Sequence, residues 1–316
     1  MDQQAFKKIM EYATHPLRVY SLISKAGLTR FVPDELHIRI MYRALIGSKI
    51  DLDDPRTFNE KLNWLKLHDR NPLYNTLVDK LAVKSWVAER IGGEHVTATY
   101  ASWASVEDIS IENLPDRFVL KTNHDSGGIS ICRDRASFDL GAARKLMSKH
   151  LKHNYFWWTR EWPYKDVVPM IMAEEYLEDA DGDAGLVDYK VTCFGGKPEF
   201  IEVHRGRFGN HTCNYYDTEW NPICIDWADI PVAATEAPRP GNLEKMLELS
   251  GRLSAGIPQI RCDWYDLGDR LVFGELTLFS GAGFDLIDAG NDKRLGDLID
   301  LSLAYGDGGA NGLGGH

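Results

Sequence analysis

Apolar residues recur at spacings of three and four through residues 1–92: Phe6, Ile9 and Met10, then Leu36, Ile38, Ile40 and Met41, then Leu62, Leu65 and Leu67. That period matches the turn of a helix, so this stretch is expected to be helical. Thr57 and Glu60 stand at capping-box spacing, and Asp79 is expected to open a helix from Lys80 to Ile91 that stops at Gly92-Gly93. From Phe118 the period shortens to two. Phe118-Val-Leu-Lys121 reads as a strand, Asn123 to Gly128 as a turn and Ile129 to Cys132 as the returning strand of a hairpin. A helix is expected near 140–153, an aromatic run follows from Tyr155 to Tyr164, and Met170 to Leu177 reads as a strand. Asp188 to Arg205 alternates on both sides of Gly195-Gly196 and predicts a second hairpin. An amphipathic helix over 242–255 and two strands within 259–279, joined across Gly268-Asp269, complete the pattern.

The segments divide into a helical region over 1–78, a lobe over 79–180, a second lobe over 181–304 and a glycine-rich tail over 305–316 that is expected to be disordered. The acidic, glycine-bearing linker Glu178 to Gly185 is expected to be solvated. Two hairpin-centred lobes about such a linker predict an α+β architecture with a cleft between them.

Composition narrows the function. The chain of 316 residues is 44% hydrophobic and 26% charged, which is ordinary for a globular protein. A formal charge of -11 leaves no general basic surface, so no nucleic-acid partner is expected and any phosphate must be met by local charge. The five cysteines are an odd number without C-x-x-C spacing, so neither a disulfide framework nor a zinc site is expected; four of them have apolar or aromatic neighbours, and buried reduced thiols suit the cytoplasm. Met1 to Lys8 lacks the apolar run of a signal peptide, and no apolar stretch is long enough for a transmembrane segment.

The candidate chemistry is concentrated between Arg261 and Phe284. Asp263 and Glu275 fall on adjacent strands, where two hard carboxylates can hold magnesium against a nucleotide's phosphates, and Thr277 adds a third oxygen. Arg261 shares the strand face of Asp263 and brings a fixed positive charge to a transferring phosphoryl group. Such charges beside apolar Leu271 to Phe273 are costly unless they neutralise one another or a metal. Lys121 ends its strand before a loop in which Ser126, Gly127 and Gly128 present unobstructed backbone N–H groups to phosphate, although the pattern is no Walker motif. Glu174 and Glu175 close an apolar strand whose neighbouring backbone is available to adenine. Asp188 is placed for ribose hydroxyls, and Lys190, two residues on, for phosphate. His204, Arg205 and Arg207, with Asn210, His211 and Asn214, form either a solvated basic turn or a grip for a carboxylate or acyl phosphate. The aromatic run is either a core wedge or a stacking platform for sugar rings, and Arg160 and Glu161 within it point to partial exposure.

Taken in order, Phe118 to Lys121 with its Ser-Gly-Gly loop, Glu174 to Leu177, Asp188 to Lys190, Arg261 to Asp263 and Glu275 to Thr277 resemble the ATP-grasp superfamily over about 79–285. More narrowly, Asp54 to Lys61, Trp64 to Lys66, Asp69 to Pro72, Val78 to Lys80, Arg160 to Lys165 and Phe273 to Thr277 resemble the TupA-like ATP-grasp family over about 30–301. That family is named for teichuronopeptide biosynthesis and is often found with polysaccharide-assembly genes. The resemblance implies an ATP-grasp fold in which two α+β lobes sandwich ATP behind a helical N-terminal region. It implies that Lys80 or Lys84 opens the nucleotide site, that Lys121 contacts phosphates under the Ser126 to Gly128 loop, and that Glu174 and Tyr176, with Glu175 and Leu177 in the same hinge, flank adenine. Asp188 would bind ribose, and Asp263 with Glu275 would hold magnesium; Thr277 stands where many of these ligases have asparagine.

The activity so implied is ATP-dependent carboxylate–amine ligation through an acyl phosphate, with ATP and Mg2+ as cofactors. The partners would be a uronic acid of a capsule or cell-wall saccharide and an amino acid or other amine, in contact with membrane-bound assembly machinery. Arg261 would stabilise the transferring group, Lys190 would meet phosphate, and Arg205 and Arg207 would hold the acceptor. The rival readings are a glycosyltransferase using Asp263-Trp-Tyr-Asp266 on the metal of a nucleotide sugar, and a saccharide-binding module without catalysis. Neither rival needs the phosphate loop and the ordered lysines.

Overall fold

The structure, a computed structural model, describes residues 16–178, 186–206, 209–227 and 230–306. Phe6, Ile9 and Met10, linker positions 179–185, Arg207 and tail positions 307–316 lie outside them.

The lead-in is helical as its spacing predicts: α1 (Pro16–Lys25), α2 (Asp34–Leu45), α3 (Phe58–His68), α4 (Leu73–Val78) and α5 (Val83–Ile91). Ile38 and Met41 bury completely, whereas Leu36 points outward and is 51% exposed. The capping box of α3 forms in both directions: Thr57 Oγ1 accepts from the Glu60 N–H at 3.3 Å, and Glu60 Oε2 accepts from the Thr57 N–H at 3.1 Å. Helix α5 starts three residues later than expected. Asp79 Oδ1 takes the N–H groups of Leu81 (2.8 Å) and Ala82 (3.2 Å), which folds 80–82 into a turn and leaves Lys80 outside the helix.

The first sheet contains β1 (Thr99–Trp103), β2 (Phe118–Thr122), β3 (Ile129–Cys132) and β4 (Ile171–Glu175), in antiparallel order β1-β4-β2-β3. Helix α6 (Leu140–Leu151), capped by Asp139, packs Ala143 and Met147 into the same core as Phe118, Leu120, Ile171 and Ala173. A single turn, α7 (Phe156–Thr159), carries the start of the aromatic run.

The second sheet is larger: β5 (Asp188–Phe194), β6 (Lys197–Arg205), β7 (Thr212–Asp217), β8 (Gln259–Asp266) and β9 (Leu271–Thr277), in antiparallel order β7-β6-β5-β8-β9. Between β7 and β8 runs α8 (Leu243–Ser254), and α9 (Ala289–Leu298) follows β9 with Asp288 as its cap. Strand alternation sends Val191, Cys193, Cys262 and Trp264 to one face, where they join Leu243, Met246, Leu249 and Leu253 of α8 in the main core. Trp264 Nε1 donates to Ser250 Oγ of α8 at 2.8 Å, so the largest buried ring leaves no donor unmet. The opposite face is the polar one.

Strands β1 and β7 and helix α9 add to what the residue pattern predicts. Residues read as a basic turn after β6 instead pair with it: Arg205 lies opposite Thr212, His204 opposite Cys213 and Val203 opposite Asn214. His204 and Asn214 are accordingly buried rather than solvated.

Candidate active site

The period of two places Asp188, Lys190 and Thr192 on the same face of β5, and the register sets their neighbours. Lys190 lies opposite Glu202 on β6 and Asp263 on β8; Asp263 in turn lies opposite Glu275 on β9, and Arg261 opposite Thr277. Buried charges in such a row persist only when paired. Lys190 Nζ is 2.9 Å from Asp188 and in close contact with Asp263. Arg261 donates to Asp263 from Nε (2.7 Å) and Nη2 (3.0 Å), and to Thr277 Oγ1 at 3.2 Å. Burial alone would raise the Asp263 pKa, but Arg261 and Lys190 outweigh it and hold the carboxyl well below the usual range. At Glu275, whose side chain is only partly withdrawn from water, that withdrawal pushes upward, and Lys80, Lys190 and Arg261 together bring the pKa below its ordinary value.

Beside this face opens a cavity of about 400 Å³. Lys80 and Ser126 reach it from the first sheet's side, Arg261, Glu275 and Thr277 from the second sheet, and Tyr155, Trp158 and Tyr164 form an aromatic wall. Lys80 ties the two sides together: its Nζ donates to the Asp125 carbonyl at 2.8 Å and lies 3.7 Å from Glu275. The loop itself is anchored, since Asp125 is buried and accepts from Thr122 Oγ1 and His150 Nδ1. A Cβ at Gly128 would stand 2.3 Å from Thr122 Oγ1, so the return to β3 has room only for glycine.

The family model described as TupA-like ATPgrasp matches residues 60–300. The chain belongs to the TupA-like ATP-grasp family. Its fold is the ATP-grasp fold, and ATP binding goes with it. Among solved structures it is similar to D-alanine–D-alanine ligase from Helicobacter pylori, at 13% identity over 77% of this chain and 69% of that one, with a TM-score of 0.42. It is also similar to the Bacillus anthracis D-alanine–D-alanine ligase complexed with ATP, at 15% identity over 77% and 72%, TM-score 0.41. A third is a RimK domain protein ATP-grasp from Sphaerobacter thermophilus DSM 20745, at 14% identity over 78% and 72%, TM-score 0.38. At such TM-scores the likeness carries no weight beside the family match. No curated protein matches the sequence.

In this ATP-grasp chain the remaining lysines gather at a second point. Lys84 Nζ lies 2.9 Å from Glu174 Oε2, and Lys121 contacts Oε1 of the same carboxylate. Burial would raise the Glu174 pKa, yet these two lysines lower it, and Glu174 is not the solvent-facing acid that a strand end suggests. Glu175 takes the guanidinium of Arg270 at 2.6 and 3.2 Å, which fastens the β8–β9 turn to the end of β4 next to Tyr176 and Leu177. Arg205 does not line the cavity: its Nη2 donates to Asn214 Oδ1 at 2.8 Å and to the Thr235 carbonyl at 2.6 Å. Arg207 lies outside the described residues.

The rings of Tyr155, Trp157, Trp158, Trp162 and Tyr164 are half-buried, as partial exposure of the aromatic run requires, but the charged pair that suggested it is itself buried. Arg160 is 1% and Glu161 4% exposed, because each has a distant partner. Arg160 Nε is 3.0 Å from Asp34 of α2; Lys66 of α3 is the cation attracting Glu161. Burial pushes Lys66 down and Glu161 up, and their mutual attraction opposes both shifts. Lys66 Nζ also donates to the carbonyls of Thr159 and Ala282, each at 2.8 Å. Asn63 Nδ2 reaches the Gly283 carbonyl at 2.7 Å and Asn59 Nδ2 that of Asp285 at 2.9 Å. Asn59, Asn63 and Lys66 stand four and three apart on one helical face, so the Asn-Glu-Lys and Trp-Leu-Lys motifs hold the segment 281–285 that closes the cavity. Their spacing was the available signal; their target was not.

The Asp263-Trp-Tyr-Asp266 motif does not converge on one point. Trp264 faces the core, and Asp266 accepts from Asn242 N (3.2 Å) and Nδ2 (2.7 Å) at the far end of β8. Among the described residues no helix is long and apolar enough to cross a membrane.

Proposed function

We propose that the chain is an ATP-dependent carboxylate–amine ligase forming an amide through an acyl phosphate. The acceptor proposed is a uronic-acid carboxylate of a capsule or cell-wall saccharide, and the amine an amino acid, in a reducing cytoplasm beside membrane-bound assembly machinery. The observation that carries this reading is the shared cavity, where Ser126, Lys80, Arg261, Glu275 and Thr277 meet the aromatic side chains of Tyr155, Trp158 and Tyr164. Groups that neutralise phosphate thus adjoin flat apolar surfaces suited to a sugar ring, in a volume within the range of small-molecule sites.

The proposed nucleotide contacts are those that the family likeness implies, and they lie outside the cavity lining. Lys84, Lys121 and Lys190 would exchange their carboxylate partners for phosphate, Glu174 to Leu177 would flank adenine, and Asp188 would take the ribose. The hard oxygens of Asp263 and Glu275, opposed across β8 and β9, fit a magnesium ion and would hold it; when bound, it supplies positive charge to the phosphate oxygens. In the first step a carboxylate oxygen of the acceptor attacks the γ-phosphorus, and ADP leaves with the electron pair of the broken P–O bond. Arg261 and Lys80, the cations lining the cavity, orient the acceptor and offset the charge gathering on the phosphoryl oxygens, a grip first expected of Arg205. The amine nitrogen then attacks the carbonyl carbon, phosphate departs with the C–O pair, and the amine loses a proton.

The test incubates the protein with magnesium, ATP, uronic-acid saccharides and an amino-acid panel, following ADP, phosphate and product mass. ADP and an amide-linked product appearing together, only when acid and amine are both present, is the expected result. Sugar transfer from a nucleotide sugar without ATP consumption would overturn it.

A further inference from the structure

We propose that Glu202, His204 and Cys213 form a metal site for a divalent ion of zinc's type, separate from the Asp263 and Glu275 carboxylates. Glu202 and His204 are two residues apart on β6 and so share a face, and β7 brings Cys213 directly opposite His204. One ligand atom from each lies within 4.8 Å of the other two, and all three residues are buried. Tetrahedral zinc with ordinary bond lengths sets its ligand atoms about 3.4 Å apart for nitrogen and oxygen and about 3.6 Å apart for nitrogen and sulfur. Here His204 Nε2 is 3.3 Å from Glu202 Oε2 and 3.8 Å from Cys213 Sγ. Both spacings from the imidazole are those of a ligand set, and the carboxylate and sulfur stand within 4.8 Å of each other.

Two further observations point to a cation. His204 Nδ1 is 3.0 Å from Nε2 of His211; a proton donated from Nδ1 leaves the His204 Nε2 lone pair facing the carboxylate and the sulfur, the arrangement by which outer partners orient a metal-binding imidazole. Glu202 Oε1 is buried and has no hydrogen-bond partner among the described residues. Lys190 stands across β5 from Glu202 and Asp188 across from His204, but these two already pair with each other. Binding forms a metal–sulfur bond as the Cys213 thiol releases its proton to solvent. Carboxylate and thiolate then cancel the double charge, so the buried site is neutral, and the fourth tetrahedral position falls to water. The sequence gives no hint of this because the ligands pair across strands instead of lying in a C-x-x-C run.

The experiment titrates the full chain, freed of metal by chelation, with Co2+ alone in the presence of excess Mg2+ to occupy the hard-oxygen site. One equivalent should produce a thiolate-to-cobalt charge-transfer band with four-coordinate d–d absorption, and Zn2+ should bleach both. Cys213→Ser should abolish the charge-transfer band, and Glu202→Gln should weaken cobalt binding at least tenfold with an unchanged circular dichroism spectrum. Wild-type protein that gives no charge-transfer band would overturn the proposal without recourse to any variant, as would a band that survives Cys213→Ser.

Discussion

Replacing Asp263 by asparagine and Glu275 by glutamine separates two roles that opposed carboxylates on one hairpin can have. The Asp263 side chain is 3% exposed and contacts Arg261 at 2.7 and 3.0 Å as well as Lys190. Removing its charge leaves buried Lys190 and half-buried Arg261 under-compensated, a change that costs about 3–5 kcal/mol for a buried pair. Lys190 retains Asp188 at 2.9 Å, which places Asp263→Asn near the lower end, about 3 kcal/mol. For a chain of this length the unfolding entropy converts that loss to a melting shift of about 5 °C. The Glu275 side chain is 38% exposed and its nearest cations are 3.7 and 3.9 Å away. Solvent screens such pairs to at most about 1 kcal/mol, so Glu275→Gln should shift melting by no more than about 2 °C. Both substitutions should abolish ADP formation. Calorimetry of the two variants beside a coupled ADP assay reads both quantities. An Asp263→Asn variant that melts with the wild type, or a Glu275→Gln variant that still makes ADP at the wild-type rate, would refute the reasoning.

Three other outcomes are expected. His37 is buried between Tyr20 (2.9 Å) and the Trp158 carbonyl (3.0 Å), and burial with nearby Arg160 and Lys66 lowers its pKa to about 4, against 6.5 when unfolded. The unfolded chain therefore binds the extra proton first, and stability complete above pH 6.5 should fall by up to about 3 kcal/mol as pH drops to 4. Acid unfolding of wild type and His37→Gln should diverge over that window, and parallel curves would remove His37 from the account. Gly283 has φ +67, and a Cβ there would meet Asn63 Nδ2 at 2.8 Å. Gly283→Ala should cost about 2 kcal/mol. Gly93→Ala, where the added Cβ meets nothing within 4 Å, should be near neutral, and urea titration of the two variants beside wild type checks both values. Trp158→Ala should raise KM for the saccharide acceptor about tenfold while leaving KM for ATP unchanged, since its ring lines the cavity wall; equal changes in both would place the wall elsewhere.

Local signals recover much of this fold. The β2–β3 and β5–β6 hairpins are legible because alternation and a glycine turn are contiguous in the chain, and the α3 capping box because its two residues are three apart. Strand β1 is hidden because it lies at a sheet edge with no fully buried position, and β7 because its pairing with β6 is disguised by a polar, donor-rich approach. The aromatic run shows the limit most plainly. Arg and Glu argue for solvent when only neighbours in sequence are considered, and Asp34 and Lys66, which reverse that argument, lie far upstream.

The same non-local pairing explains how the candidate site sustains its charge. Lys84 and Lys121 share Glu174, Lys190 lies between Asp188 and Asp263, Arg261 grips Asp263, and Lys80 faces Glu275. Each cation therefore has an internal anion, so a sheet face this polar can be buried at all. On the proposed reading a nucleotide with its magnesium would enter by exchange at the second sheet: phosphate oxygens would replace Asp263 on Lys190, and Asp263 with Glu275 would hold the metal. A carboxylate removed from this set thus deprives both the folded protein and the substrate complex of the same partner, most severely at Asp263, where two cations converge.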